Sequence, residues 1–511
     1  MKTQNYAIID IGSNTMRLVI YEKTKSNRLK EIENVKASSR LRSFLEEDNT
    51  LNQAGIDRLI DTLKSFQEVL ATYTLQDTIC AATAAIRQAV NKKEIETQIV
   101  QKTGLNIRIL SEEEEAYYGY LAVVHSTSLK EGITVDIGGG STEVTYFENR
   151  ELKDSHSFPF GALTLKDFFK KSIPTTEEIT TLRQYLREQF ATLPWLKDRE
   201  VKLVAIGGSA RNLAQIHQNL ESYPLAGLHE YQMFQKDIIE VSSYLTSLKP
   251  SKLAKVEGLS KDRADIIIPA IEVFHCLYQT IQAESLVLSR KGLRDGVLYE
   301  HLAKESDSSL YPNVLEESIQ ELVNDYDLDR KHIRHVQNLT EQVFDFCKEN
   351  GLIQLDKQDR KLLKMASFLF NLGEYIDSES SPQHTFYLLA NRTIDGLEHR
   401  ERVKLALVAS FKNKTVFNQF IQPYKSWFLK DERRKLLELG SLLKFTYCLD
   451  ATRRQIVDQI DFKLKKKNIL IRVYTKANAM PEEYQAEKQK KHLEKAIGKD
   501  VELEFIADSQ M

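Results

Sequence analysis

Apolar and polar positions follow two textures along this chain, and the change between them falls at about Tyr311. Before it, short apolar runs alternate with helical patterns. Ala7-Ile8-Ile9 and Ile133-Thr134-Val135 each read as a strand, each leads into a glycine turn, and strand-like stretches follow at residues 16–21 and 143–147. Ile56, Leu59, Ile60, Leu63, Phe66 and Leu70 recur at helical spacing, with Thr50 and Gln53 predicting a capping box at the start. Further strands are predicted at residues 78–82, 107–110, 201–206 and 286–288, an α/β pattern. After Tyr311 glycine becomes sparse and helices dominate, with Val336, Leu339, Val343 and Phe346, then Leu362, Leu363, Ala366 and Leu369, on their apolar faces. From about Glu438 a helix leads to strand-like alternation over residues 462–475, another helix, and a strand at 501–505, the pattern of a small α+β unit.

At 511 residues the chain is too long for one core. The texture divides it into residues 1–126, 127–305, 306–437 and 438–511. Hydrophobic content of 42% with 28% charged residues is that of a soluble globular protein. A net charge of −2 gives no bulk sign of a nucleic-acid partner, and no stretch is apolar and long enough to predict a signal region or a membrane span. Cys80, Cys276, Cys347 and Cys448 are far apart without metal-type spacing, so buried thiols in a reducing cytoplasm are expected. Lys463, Lys465, Lys466, Lys467, Lys488, Lys490, Lys491 and Lys495 crowd the tail, either as a solvated face or as a polyanion-binding surface.

The candidate chemistry lies in the two glycine turns. Asp10 to Thr15 reads Asp-Ile-Gly-Ser-Asn-Thr, and Asp136 to Thr142 reads Asp-Ile-Gly-Gly-Gly-Ser-Thr. Gly12 and Gly138 to Gly140 let backbone N–H groups approach phosphate oxygens, and Asp10 and Asp136 suit a divalent cation held between carboxylates and substrate phosphates. The shared grammar predicts duplicated domains facing each other across a phosphate-binding cleft. Ile206-Gly207-Gly208-Ser209 is a third glycine turn at a strand end. The run Glu112-Glu113-Glu114-Glu115 reads as a charged helix start, yet it follows a strand, where ligand sites concentrate, so one carboxylate could act as general base. Arg87 also follows a strand and has the fork geometry that grips phosphate.

With these pieces the chain resembles the exopolyphosphatase and guanosine pentaphosphate phosphohydrolase (Ppx/GppA) family in its long form. The matching stretches are Ile9 to Thr15, Ala82 to Arg87, Ser111 to Ala116, Val135 to Glu143, Ala205 to Ala210, Gly258-Leu259 with Arg263-Ala264-Asp265, and Ser289 to Gly296. The resemblance implies two actin-like (ribonuclease H-like) domains with an interdomain cleft, then an all-α HD-like domain and a small α+β domain. It implies Glu115 as catalytic base, Asp10, Asp136 and Glu143 as a Mg²⁺ site with Glu143 also organising water, and Arg87 as a clamp on the transferred phosphoryl group. Ser13, Asn14, Thr15, Gly138, Gly139, Gly140, Ser141, Gly208 and Ser209 are implied to hold phosphates, with Arg17 and Arg263 on the nucleotide or the distal chain. It also implies a homodimer, and domain closure about hinges near residues 120–130 and 290–310.

The implied reaction is release of terminal orthophosphate from inorganic polyphosphate, with removal of the 5′ γ-phosphate of guanosine pentaphosphate as the closest alternative. A kinase or ATPase of the wider superfamily would need an adenosine loop that the third turn resembles only in part. A non-catalytic sensor of polyphosphate or of guanosine penta- or tetraphosphate is disfavoured by the joint presence of Glu115, Asp136 and Glu143. The chain departs from HD-type enzymes at Phe370-Asn371, which stands where His-Asp would bind metal. His332, His335 and His384 are therefore expected to be surface or packing residues.

Overall fold

The apolar run ahead of each aspartate loop becomes the inner strand of a sheet. In the computed structural model, which describes residues 4–24, 28–306 and 313–507, five strands form the first sheet. They are β1 (Gln4–Ile11), β2 (Thr15–Lys23), β3 (Leu29–Ser38), β4 (Leu75–Ala82) and β5 (Arg108–Ile109), in the order β3-β2-β1-β4-β5. The second sheet holds β6 (Glu131–Ile137), β7 (Thr142–Glu148), β8 (Glu151–Phe158), β9 (Leu203–Ile206), β10 (Tyr231–Met233) and β11 (Leu286–Leu288), in the order β10-β11-β9-β6-β7-β8.

The two sheets repeat one scheme. β1 pairs antiparallel with β2 and parallel with β4, and β6 pairs antiparallel with β7 and parallel with β9. Covered on both faces, the inner strands need near-continuous apolar runs, and Ala7, Ile8, Ile9, Ile133 and Val135 are fully buried. Ile9, Leu18 and Ile20 pack with Ile56, Leu59 and Leu63 of the helix Gln53–Leu70. Ile133, Val135 and Leu203 share a core with Leu213 and Ile216 of the helix Gly207–Leu220 and with Phe274 of the helix Ile267–Ile281.

Several boundaries differ from the sequence expectation. The first long helix is capped by Asn52, whose side chain accepts from the Gly55 N–H, not by Thr50. Thr50 is held in a preceding turn, its N–H donating to Asp48. β4 starts at Leu75 because pairing with β1 extends beyond its apolar core, whereas β5 keeps only two paired residues. β9 begins at Leu203, two residues later than expected.

The chain leaves the first sheet along the helix Glu112–Val124, and after the second sheet it continues into the helix Leu293–Ser306. These two helices pack together, with Tyr118 Oη 2.9 Å from Glu300 Oε2. Leu298 and Leu302 share a cluster with Ile8 and Val19 of the first sheet, while Tyr120 and Val123 pack on Phe147 and Val204 of the second. The helix pair therefore joins both sheets into one unit.

A second compact unit comprises residues 316–511 with the loop Pro224–Gly227. The expected change at Tyr311 lies outside the described residues. Helices dominate this unit, among them Arg330–Glu349, Lys357–Leu369, His399–Ala409 and Lys430–Cys448. Val336, Leu339, Val343, Leu362, Leu363, Ala366 and Leu369 are buried as their spacing predicts, and the half-buried Phe346 stacks on Phe462. A small sheet follows, β12 (Val457–Leu464), β13 (Asn468–Thr475) and β14 (Asp500–Ala507) in sequence order, with the helix Met480–Ile497 connecting the parallel β13 and β14. At Phe370 the helix Lys357–Leu369 ends, and Asn371 adopts a left-handed conformation with φ 58°. His332 is buried and lies 2.8 Å from Asp450, so its carboxylate partner comes from far along the chain; His335 and His384 are half-buried. Among the described residues no helix is long and apolar enough to cross a membrane.

The close crossing of the two joining helices depends on Gly296, where a Cβ would stand 2.0 Å from the Tyr118 carbonyl oxygen. Gly296→Ala should therefore destabilise the first unit by about 1–3 kcal/mol from overpacking, outweighing the gain of about 1 kcal/mol in helix propensity. The check is the thermal unfolding midpoint, which should fall in the Gly296→Ala variant compared with the unsubstituted protein.

Candidate active site

The local geometry of the two glycine turns is the same. Gly12 N–H donates to the Thr15 carbonyl at 3.1 Å, and Gly138 N–H donates to the Ser141 carbonyl at 2.9 Å. Each closes a tight turn that leaves its aspartate at a strand end. The turns face each other: a Cβ on Gly139 would lie 4.0 Å from Ser13 Cβ, and one on Gly140 would meet the Arg42 guanidinium at 2.2 Å. The segment after β3 is tied to the first turn through Arg40 N–H to the Asn14 carbonyl and Arg42 N–H to the Ser13 carbonyl. The second turn is backed by Ala162 and Leu163, whose N–H groups donate to the Gly138 and Gly139 carbonyls. The third turn approaches the same place. Gly207 has φ +87°, and a Cβ there would be 2.2 Å from Asp136 Oδ1.

Of the four consecutive glutamates, geometry singles out Glu115. Ser111 caps the helix, its Oγ accepting from Glu114 N–H while Glu114 Oε2 accepts from Ser111 N–H, and Arg108 pairs with Glu114. Glu113 is exposed. Glu115 is mostly buried and bonded to Arg87, which also donates to the Leu110 carbonyl at 2.9 Å. Burial pushes Glu115 up to about 7; Arg87 opposes this, and Asp136 and Asp10 add to it. Glu143 rises further, to about 8, through burial and then the charge of Glu115, against hydrogen bonds from Ser141 and Ser157. Burial likewise raises Asp136, which Arg211 and Arg263 counteract. Glu115, Asp136 and Glu143 thus form one electrostatic cluster.

The residues expected to bind phosphate divide by position. Ser13, Asn14, Thr15, Gly138, Gly139, Gly140 and Ser141 lie in or beside the two turns. Gly208 and Ser209 open the helix Gly207–Leu220 beneath Arg263, whose Nη1 lies 3.2 Å from Ser209 Oγ. Arg17 sits opposite Asp10 in the register of β1 and β2 and donates to Asn34 Oδ1. Arg87, expected on the phosphoryl group, is partly committed to Glu115, while its buried Nη2, without a hydrogen bond among the described residues, faces Glu112 Oε1 at 3.6 Å.

Sequence reasoning missed Arg42, Arg211, Arg294 and Ser157. Arg294 Nη1 lies 2.9 Å from Asp10 Oδ2, so Asp10 is held by an arginine. Burial, then the charges of Arg294, Arg17 and Arg263, push Arg211 down to about 10. Burial also lowers Arg263 and, with Arg294, Arg17. Arg294, Arg17 and Arg263 gathered around Arg211 mark a place built for an anion of several charges. The available signal was position: Arg211 and Arg294 lie inside the third turn's helix and the last matching motif.

The donor set fits a hard divalent cation. Asp136 and Glu143 are carboxylates lifted by burial and by neighbouring negative charge, which a cation would relieve, and Asp10 is the third oxygen donor nearby.

The sequence profile of the Ppx/GppA phosphatase family matches residues 19–305, and that of its domain III matches residues 314–494. The chain belongs to the Ppx/GppA phosphatase family. Its structure is similar to that of the Aquifex aeolicus family member, with 27% identity, a TM-score of 0.55, and coverage of 60% of this chain and 100% of that one. An exopolyphosphatase from Cytophaga hutchinsonii shares the fold at 22% identity, with a TM-score of 0.53 over 59% of this chain and 98% of the other. As a Ppx/GppA member the chain is a phosphohydrolase, its two sheet-centred α/β halves followed by a helix-rich unit that ends in a small three-stranded sheet.

The raised carboxyls carry a stability consequence. Glu143 has an ordinary value of 4.5 and is lifted to about 8, so between these the native state binds more protons than the unfolded chain. Without divalent cations, stability should fall as pH rises from 4.5 to 8. Glu143→Gln should flatten that fall and raise the midpoint at pH 8 more than at pH 5, measured by thermal unfolding in chelator.

Proposed function

We propose that this chain is an exopolyphosphatase, releasing terminal orthophosphate from inorganic polyphosphate with Mg²⁺ bound and a water activated by Glu115. The observation that carries this reading is Glu115 itself: mostly buried, lifted to about 7, fixed by Arg87, and raised further by the charges of Asp136 and Asp10 at the two glycine turns. A base poised near neutral pH is matched to taking a proton from water. Asp136, Glu143 and Asp10 would hold the cation, which supplies charge neutralisation on the phosphate oxygens when bound. The turn amide at Gly139, with Arg42, Arg211 and Arg263, would position the terminal phosphates and stabilise the charge that spreads over the transferring group. Ser141 and Ser157 keep Glu143 oriented.

Charge in the second unit favours a long polyanion over a nucleotide. Some tail lysines are neutralised, Lys465 by Glu502 and Lys490 by Glu487, each at 2.8 Å. Others crowd one another. Burial, then Lys412, Lys488 and Lys491, lower Lys444, and burial with Lys444, Lys491 and Lys495 pushes His492 down to about 4. Such an excess of like charge is relieved by a polyanion.

Phosphate release should be measured with Mg²⁺ from long-chain polyphosphate and from guanosine pentaphosphate. Glu115→Ala is expected to lower polyphosphate turnover by about 10²–10⁴-fold while binding persists. Preference for the nucleotide would transfer the function to guanosine pentaphosphate hydrolysis, and binding without release from either substrate would make the chain a sensor. Lys491→Glu should raise KM for long polyphosphate and leave kcat unchanged, the split expected of a residue that adds uniform binding.

A further inference from the structure

The helix Gly207–Leu220 begins at the cleft and carries His217 in its last turn, about 15 Å along the axis from Gly207. His217 is 5% exposed. Its Nδ1 lies 2.8 Å from Tyr231 Oη, and its Nε2 is buried without a hydrogen-bond partner among the described residues. That Nε2 points at Asp237, with Oδ1 at 3.8 Å, too long for a hydrogen bond. Asp237 lies in the first turn of the helix Gln235–Thr246, where its other oxygen accepts from Phe234 N–H at 2.7 Å. Glu240, one turn further, is exposed beside it. One ligand atom from each of His217, Asp237 and Glu240 lies within 4.8 Å of the others.

We propose that His217, Asp237 and Glu240 form a second divalent-metal site, distinct from the cleft and suited to zinc. Two atoms bound tetrahedrally to one zinc ion at about 2.0–2.1 Å stand about 3.4 Å apart, so the His217–Asp237 pair at 3.8 Å need close only slightly to share a metal. The exposed Glu240 side chain has room to turn inward and complete the set, leaving the fourth position for water. An imidazole ligand favours zinc over magnesium or calcium. Tyr231 supplies the supporting contact: with Nδ1–H donating to its hydroxyl oxygen, the Nε2 lone pair is left for the metal. The other charged group beside Asp237 is Lys236, 4.0 Å away and largely exposed. Glu221, Tyr223 and Tyr278 surround the Tyr231–Asp237 pair. Bound metal would fasten the end of one helix to the start of the next, and so brace the helix that presents Gly207 and Gly208 to the cleft.

The test is a zinc titration of full-length protein after chelator dialysis, followed by calorimetry and thermal unfolding. An Asp136→Asn background weakens the cleft's own carboxylate set. Zinc should bind at one ion per chain and raise the midpoint in this background. Adding Glu240→Gln, an exposed change, should abolish that rise, and adding Tyr231→Phe should weaken binding about 10–100-fold. Zinc stabilisation that survives Glu240→Gln, or that is missing from the Asp136→Asn protein itself, overturns the proposal and leaves His217 and Asp237 as a buried polar pair. Should Asp136→Asn fold poorly, Glu240→Gln compared with the unsubstituted chain separates the same two outcomes.

Discussion

Bringing Glu115, Asp136 and Glu143 within range of one another's charge, away from water, is the constraint around which the first unit is organised. Each carboxyl is raised by burial, and each makes its neighbours harder to ionise. Arg87 relieves Glu115, Arg211 and Arg263 relieve Asp136, and Arg294 holds Asp10. Removing either partner of such a pair would strand a charge at a cost of about 3–5 kcal/mol. The site therefore opposes folding, and the two sheet cores and the joining helices must outweigh it. The close approach of Gly296 to Tyr118 lies on the helix pair that begins at Glu112, so the element presenting the base also packs on both sheets.

The duplication is close in backbone and unequal in chemistry. Asp10 pairs across its hairpin with Arg17, and Asp136 at the equivalent register pairs with Glu143. One domain thus sets a cation beside its aspartate, and the other sets a second carboxylate. This single difference divides the labour of the cleft. The second hairpin gathers negative charge suited to a metal and water, and the first contributes to the arginine group suited to phosphate.

How much of this was legible depended on whether a feature is local. The aspartate turns, the charged start of the acidic helix and the inner strands are written in consecutive residues, because turn chemistry and apolar runs act over a few positions. Glu115 could be singled out from Glu112 to Glu114 only by resemblance. The physical reason is helical phase, which directs Glu115 to Arg87 while Glu114 folds back on Ser111. Arg294 meeting Asp10, separated by 284 residues, had no local signature. The same holds for His332: no aspartate adjoins it in sequence, yet Asp450 reaches it across the helical unit. Pairings of this kind are set by packing, and a linear pattern does not contain them.

Net charge is the clearest case of a global quantity hiding a local one. A total of −2 argues against a polyanion partner when read as an average. The charges are not averaged in space. Acidic residues on the surface pair with lysines such as Lys36 with Asp262 and Lys465 with Glu502, which removes both from the field felt by a ligand. What remains unbalanced is concentrated: the arginines that depress Arg211, and the lysines that depress Lys444 and His492. An anion entering either place gains from several cations at once, at short range and with little water between, where salt screens least. Affinity for a chain of phosphates is therefore compatible with a nearly neutral protein, provided that its cations lack local partners while its anions have them.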